Sequence, residues 1–182
     1  MRIIFRATAS KQMGSGHIMR CLALAEAVCK EDDTIVEFVT QKYPENLDDL
    51  IKKKGFIVHS LDVLISGNEE GIESDIFDQE KDANDTIKAI KSNKVDWIII
   101  DHYSLDYKWE EKLRRYTMKI MVIDDLANRK HNCDILLDQN YTKSLLVHLV
   151  IHDWLLVILK SIFSTVWLNL QKSELKYIKW DP

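Results

Sequence analysis

The sequence is poor in the residues on which several protein classes depend. Its 182 residues include only three cysteines, five glycines and two prolines. The cysteines, Cys21, Cys29 and Cys133, are odd in number and form no Cys-x-x-Cys pair, so they fit neither a disulfide framework nor a zinc ribbon. We interpret them as reduced, mostly buried thiols.

Basic clusters and a leader-like apolar segment are also missing. The net charge is −4, and no basic run is longer than Lys52–Lys54, which argues against nucleic acid as a partner. A small anionic ligand remains compatible, because a local site can bind one without a basic surface. Residues Met1–Arg6 have too few apolar side chains for a signal peptide, so we expect a cytoplasmic protein.

The usual nucleotide-phosphate motifs are incomplete. Residues Gly14–His17 follow a short apolar run and open a predicted helix, a geometry that can receive an anion. A dinucleotide fingerprint would have a third glycine where Met19 stands, and an acid where the second strand ends in Val39–Gln41. No Gly-Lys-Ser/Thr is present either. His17 is therefore either incidental to a phosphate-binding turn or the base of a sugar-nucleotide site.

What the sequence does contain is a regular alternation of short apolar runs and longer amphipathic stretches. This alternation predicts an α/β fold with a Rossmann-like parallel sheet covered by helices. The predicted strands are Ile3–Phe5, Ile35–Val39, Phe56–Val58, Trp97–Ile100 and Ile120–Ile123. The predicted helices are Pro44–Lys54, Asp82–Lys91 and Asp106–Tyr116, the last with Asp106 as its N-cap.

The helix after Gly16 places an ionisable ring beside an apolar stripe. The stripe has helical spacing and comprises Ile18, Cys21, Leu22, Ala25, Val28 and Cys29. His17 lies on its flank, and Arg20 lies about one turn away. The positive end of a helix disfavours imidazolium, so we expect a neutral His17 that is able to act as a general base. The alternative is a histidine that only caps or packs.

Polar residues follow two of the predicted central strands. Asp101, His102 and Tyr103 come directly after one strand, and Asp124 and Asp125 after the next. The carboxyl ends of parallel strands meet at one edge of a sheet, where ligands bind, so these groups and the Gly14–His17 turn should converge there. A simpler explanation is that Asp101 and Asp125 cap the segments that follow them.

A metal site is not expected. His131 and Cys133 supply only two candidate soft ligands, whereas a catalytic zinc needs three protein ligands.

Taken together, these motifs resemble the UDP-2,4-diacetamido-2,4,6-trideoxy-β-L-altropyranose hydrolases of pseudaminic acid biosynthesis. The similarity extends in order from Met1 to about Tyr141. It is carried by Phe5-Arg-Ala-x-x-Ser10, Gly14-x-Gly-His-x-x-Arg20, Leu22-Ala-Leu-Ala25, Ile100-Asp-His-Tyr103, Asp124-Asp-Leu126, Arg129-x-His131 and Cys133-Asp-Ile-Leu-Leu-Asp-Gln-Asn140.

The resemblance implies the N-terminal lobe of a glycosyltransferase-B-like fold and a UDP-sugar substrate. It also implies inverting hydrolysis at C1, with His17 as the base that activates water and with neither metal nor cofactor. The substrate-binding set carried over to this sequence is Gly14, Ser15, Gly16, Arg20, Asp101, His102, Tyr103 and Asp125. Of these, Asp101, His102 and Tyr103 would line the sugar side of the cleft or hold His17 in its correct tautomer.

The resemblance stops near Tyr141, which suggests two units, residues 1–141 and an atypical apolar tail at 142–182. Because members of the family continue into a second lobe that grips uridine and diphosphate, we expect that lobe to be missing and the gene to be truncated or frame-shifted. His148, His152, Asp153 and Lys160 interrupt the tail, which argues against a membrane helix.

Two function hypotheses follow from this boundary. The first is a nucleotide-sugar hydrolase impaired by loss of its UDP-binding lobe. The second is the acceptor-side half of a split sugar-nucleotide glycosyltransferase, a binding module whose apolar tail docks a partner lobe, another copy of the chain or a membrane.

Overall fold

A computed structural model describes residues 1–8, 15–29, 33–43, 46–62, 77–91 and 93–138. The strands are β1 (Arg2–Ala7), β2 (Ile35–Gln41), β3 (Ile57–Leu61), β4 (Val95–Asp101), β5 (Thr117–Ile123) and β6 (Ile135–Leu137). The helices are α1 (Gly16–Val28), α2 (Asp48–Lys53), α3 (Gln79–Ala89) and α4 (Tyr107–Leu113), with a 3-10 turn at Arg114–Tyr116.

All six strands belong to one parallel sheet in the order β3-β2-β1-β4-β5-β6. This confirms the predicted Rossmann-like α/β fold. The chain builds outward from β1 to β3 and then crosses back to place β4 on the other side of β1, with Ala7 opposite Asp101. The strand order therefore reverses between β1 and β4, the place where open α/β sheets form a ligand crevice at their carboxyl ends.

The alternation of side chains along the strands creates two apolar layers. Ile3, Phe5 and Ala7 of β1 face one layer, together with the buried stripe of α1. Ile4 faces the other layer, where α3 and α4 contribute residues such as Ala83 and Trp109. Because strands with both faces covered must be apolar on both, the uninterrupted runs in β4 and β5 are accounted for.

Several local predictions need correction. The second helix begins at Asp48 and not at Pro44, which lies outside the described residues. The third helix begins at Gln79, three residues before the predicted Asp82, because the side chain of Asp78 caps it by accepting from the Lys81 N–H at 2.9 Å. Asp106 caps α4 as predicted, accepting from the Lys108 N–H at 2.9 Å.

Two other differences concern single short features. Strand β6 was not predicted; it has only three residues and pairs along one side with β5. Cys29 is exposed at the end of α1 and not buried in its stripe, and Cys133 is half-buried, so only Cys21 of the three thiols is fully buried.

The predicted boundary near Tyr141, the tail at 142–182 and Gly14 all lie outside the described residues. What was expected of them stays a prediction. Within the described ranges, no helix has the length and apolar character needed to cross a membrane.

Candidate functional site

His17 lies in the first turn of α1, at the carboxyl edge of the sheet. Its side chain is 7% exposed, and its Nδ1 is hydrogen-bonded to Oδ1 of Asp101, the last residue of β4. The helix begins at Gly16, directly beyond the loop that follows β1, and this places the ring across the reversal in strand order. Ser15 and Gly16 are exposed beside it.

Asp101 is the centre of the site. It alternates with Trp97 and Ile99 on the face of β4 that packs against α1, and it is completely buried. Besides His17, its carboxylate accepts Nε and Nη2 of Arg20 and lies 3.6 Å from Sγ of Cys21. These partners all come from the first half of α1, so among the described residues this helix supplies the side-chain donors that satisfy the buried charge.

The hydrogen bonds determine where the imidazole proton resides. An arginine is always protonated, so the paired Asp101 is a carboxylate and can only accept. His17 must then carry its proton on Nδ1. The Nη2 of Arg20 lies 3.3 Å from the same nitrogen, and because both groups are donors, this contact is not a hydrogen bond. A neutral His17 therefore has its lone pair on Nε2, the nitrogen that Asp101 leaves unused.

Arg20 links this pair to a second carboxylate. Its Nη1 lies 3.4 Å from Oδ2 of Asp125, which follows β5. The hydrogen bond and charge of Asp101 raise the pKa of Arg20 despite its partial burial. Burial tends to raise the pKa of Asp125, but hydrogen bonds from Tyr103 and Arg20 and the Arg20 charge outweigh it, and the net shift is downward.

Tyr103 completes a closed set of contacts. Its ring meets the His17 ring edge-on, with centroids 4.5 Å apart and an interplanar angle of 85°. Burial and the hydrogen bond to Asp125 raise the pKa of its hydroxyl. We call the set of His17, Asp101, Arg20, Asp125 and Tyr103 the His17 cluster. It fixes the imidazole both at Nδ1 and along one side.

Most of the predicted substrate-binding residues thus come together, whereas His102 points elsewhere. Its Nδ1 accepts the Ser104 N–H at 3.1 Å, and its ring packs 4.9 Å from that of Phe77. Burial, followed by the positive charge of Arg6, lowers its pKa well below the usual value, so it is a neutral imidazole. It lies on the opposite face of β4 from Asp101, as the alternation of a strand requires.

The capping alternative holds for a neighbouring residue. Asp124, and not Asp125, caps the turn after β5, where its Oδ1 accepts the Leu126 N–H at 3.1 Å. Asp101 is occupied by α1 and caps nothing in the segment after β4. Asp101 and Asp125, the two acids predicted for the site, therefore lie against His17 and Arg20.

A second histidine network was not predicted. His131 lies between two buried carboxylates, with Nδ1 2.6 Å from Oε1 of Glu110 and Nε2 3.2 Å from Oδ2 of Asp124. Burial tends to lower the pKa of His131, but the two acids raise it overall. When His131 is protonated, both ring nitrogens donate to these carboxylates. Across the described ranges, no group of three or more potential metal ligands occurs.

Comparison with known proteins supports the resemblance to a nucleotide-sugar hydrolase. No family model matches the chain. It is 30% identical over 146 residues to the UDP-2,4-diacetamido-2,4,6-trideoxy-beta-L-altropyranose hydrolase of Campylobacter jejuni. The match covers 79% of this chain but 44% of the relative, so the chain spans less than half of that protein's length. Among solved structures, MurG of Acinetobacter baumannii matches with a TM-score of 0.49 and 15% identity, over 68% of this chain and 34% of that one.

Proposed function

We propose that the chain is the sugar-side lobe of a nucleotide-sugar hydrolase that acts on a UDP-linked diacetamido-trideoxy-hexose, as in pseudaminic acid biosynthesis. The observation that carries this proposal is the pairing of His17 with the buried Asp101 at the reversal in strand order. The identity to the Campylobacter hydrolase supports the same reaction class.

In the proposed reaction, Nε2 of His17 removes a proton from a water molecule as the water oxygen bonds to C1 of the sugar. The bond between C1 and the phosphate oxygen breaks on the opposite side, so the configuration at C1 inverts. The electron pair leaves with UDP, a stabilised anion that needs little help from an acid. Such general-base assistance contributes about 10² to 10⁴-fold to a rate.

The charges of the His17 cluster suit this step. Before proton transfer, two carboxylates face one guanidinium, so the set carries an excess negative charge. When His17 takes up the proton, Asp101 bonds directly to the imidazolium and the charges balance. This electrostatic gain opposes the unfavourable effect of the helix N-terminus on a cation.

The groups that bind UDP are proposed to lie outside these 182 residues. Contacts to a remote part of a substrate help to hold its reacting atom against the base, so their loss lowers turnover as well as affinity. We therefore expect the chain assayed alone to release little or no UDP from the UDP-sugar. Joining residues 1–140 to the complementary region of the Campylobacter relative should restore hydrolysis.

His17→Ala in the joined enzyme tests the base. We expect kcat to fall by about 10² to 10⁴-fold, with the circular dichroism spectrum unchanged. A matched control is His59→Ala. This change removes a half-buried histidine on the outer strand β3, whose partner Glu37 lies on β2. That variant should keep kcat within about twofold.

Three results would contradict these proposals. An active His17→Ala enzyme would remove the base. Strong UDP release by the unmodified chain would show that the extra region is dispensable. A stable, inactive complex between the chain and a separately expressed UDP-binding lobe would instead favour the split-glycosyltransferase hypothesis.

A further inference from the structure

A row of buried polar side chains crosses the sheet just beyond the His17 cluster. Arg6 pairs with Val39 and Ala7 with Asp101, so Gln41, Thr8 and His102 stand at one level on three adjacent strands or just beyond their ends. Their alternation directs all three to the face covered by α3 and α4. They are 1%, 2% and 6% exposed. We call these three residues the polar row.

Two atoms of the polar row have no hydrogen-bond partner within the described ranges. They are Nε2 of His102 and Oε1 of Gln41, and both are out of contact with solvent. The first is a donor, because Nδ1 of His102 accepts from Ser104 and the neutral ring must carry its proton on Nε2. The second is an acceptor, because the amide nitrogen of Gln41 faces Oδ2 of Asp82 at 3.4 Å.

The charges around the polar row are already neutralised. Arg6 forms a fully buried ion pair with Asp82, and its Nη1 donates to Oγ1 of Thr8 at 2.7 Å. Asp82 also accepts Nε1 of Trp109 at 2.9 Å. No guanidinium nitrogen of Arg6 is therefore without a partner, and His102 is uncharged. These groups are unsuited to a phosphate and suited to a neutral group.

A buried donor and a buried acceptor without partners can both be satisfied by one neutral group that has an acceptor and a donor of its own. A secondary amide offers a carbonyl oxygen to His102 and an N–H to Gln41. The polar row lies at the carboxyl ends of β2, β1 and β4, and His17 contacts Asp101 at the end of β4 from the other face of the sheet. A sugar with C1 at His17 could thus extend an N-acyl arm to the polar row.

We propose that the polar row is the subsite for an acetamido group of the sugar, with Nε2 of His102 donating to its carbonyl oxygen and Oε1 of Gln41 accepting its N–H. This inference rests on the proposed function. It assigns recognition of N-acylation to residues on the opposite face of the sheet from the base.

The test is binding of free sugars to the 182-residue chain, followed by histidine-selective ¹⁵N NMR. The probes are 2,4-diacetamido-2,4,6-trideoxy-altrose and 6-deoxy-altrose, which has hydroxyls in place of both acetamido groups. We expect His102 to be protonated on Nε2 in the free protein and to shift with the diacetamido sugar only. The His17 signals should shift with both sugars.

Variants separate recognition from folding. His102→Phe keeps an aromatic ring beside Phe77 but removes the donor, and Gln41→Met removes the acceptor. Each should weaken binding of the diacetamido sugar about tenfold more than it weakens binding of 6-deoxy-altrose, since a buried polar group without its partner is costly. Ser104→Ala is the matched control, because it keeps the backbone N–H that bonds His102, and its affinities should equal those of the wild type.

The possible failures are distinguishable. If His17 responds equally to both sugars while His102 responds to neither, the acetamido subsite is wrong and the proposed function stands. If neither sugar shifts His17, the acetamido subsite on this chain is wrong, and UDP release by the joined enzyme with and without His17→Ala decides the proposed function. An ordered water that bridges His102 and Gln41 in a high-resolution crystal structure and stays in place with the sugar bound would also overturn the subsite.

Discussion

Asp101→Asn should be among the most destabilising isosteric changes in this domain. The carboxylate is completely buried and bonded to Arg20 through two of the guanidinium nitrogens. Removing one partner of a buried ion pair costs about 3–5 kcal/mol. Arg20 keeps Asp125 at 3.4 Å and its side chain is 19% exposed, so part of its charge remains compensated. We therefore expect a loss of about 2–3 kcal/mol.

Urea unfolding followed by circular dichroism measures this loss. With a slope of about 1–3 kcal/mol per molar urea, the midpoint should fall by about 0.7–3 M. Asp96→Asn is the matched control at the other end of β4, where a half-buried carboxylate accepts the Arg2 N–H at 2.7 Å. The amide oxygen of Asn can still accept that bond, so the control should lose less than about 1 kcal/mol. An Asp101→Asn midpoint within about 0.2 M of the wild type would refute the assigned ion pair.

Two further predictions concern a histidine and the thiols. The pKa of His131 is raised in the folded chain, so its interactions with Glu110 and Asp124 stabilise fully below the ordinary histidine pKa of about 6.5 and fade as pH rises through the folded value. The stability difference between wild type and His131→Gln, measured in urea, should therefore shrink with rising pH, and a difference that grows would contradict this sign. Cys29 is exposed and should react with Ellman's reagent in the native protein, whereas Cys21, whose pKa is raised by complete burial, should react only on unfolding; equal rates would exclude this arrangement.

The strands were largely predictable because a buried parallel strand must be apolar on both faces. Trp97–Ile100 and Ile120–Ile123 lie within β4 and β5 for this reason. Strand β6 escaped because its three residues give too short a pattern and one of them, Leu136, is 40% exposed. Helix starts were less accurate, since they depend on local caps such as Asp78 and not on apolar spacing.

The site was predictable only as far as topology reaches. Strand order brings Asp101 and the start of α1 to one edge, so their proximity follows from the fold class. The pairing of His131 with Glu110 depends on how the chain between β5 and β6 folds back onto α4, and no sequence spacing encodes this. The separation of His102 from the His17 cluster follows from the alternation of side chains along β4, a signal that could have been read from the sequence.

The central position of β1 and β4 has a consequence for folding. His17 and Asp101 are 84 residues apart in sequence, and β1 gains its second neighbour only when β4 docks. This pairing joins segments that are far apart in sequence, and such non-local contacts slow the formation of a sheet. Docking of β4 completes the apolar core and delivers Asp101 to His17 in the same event. A partly folded chain that lacks this strand pair therefore has no organised His17–Asp101 pair, and the proposed base would be positioned only together with the native sheet.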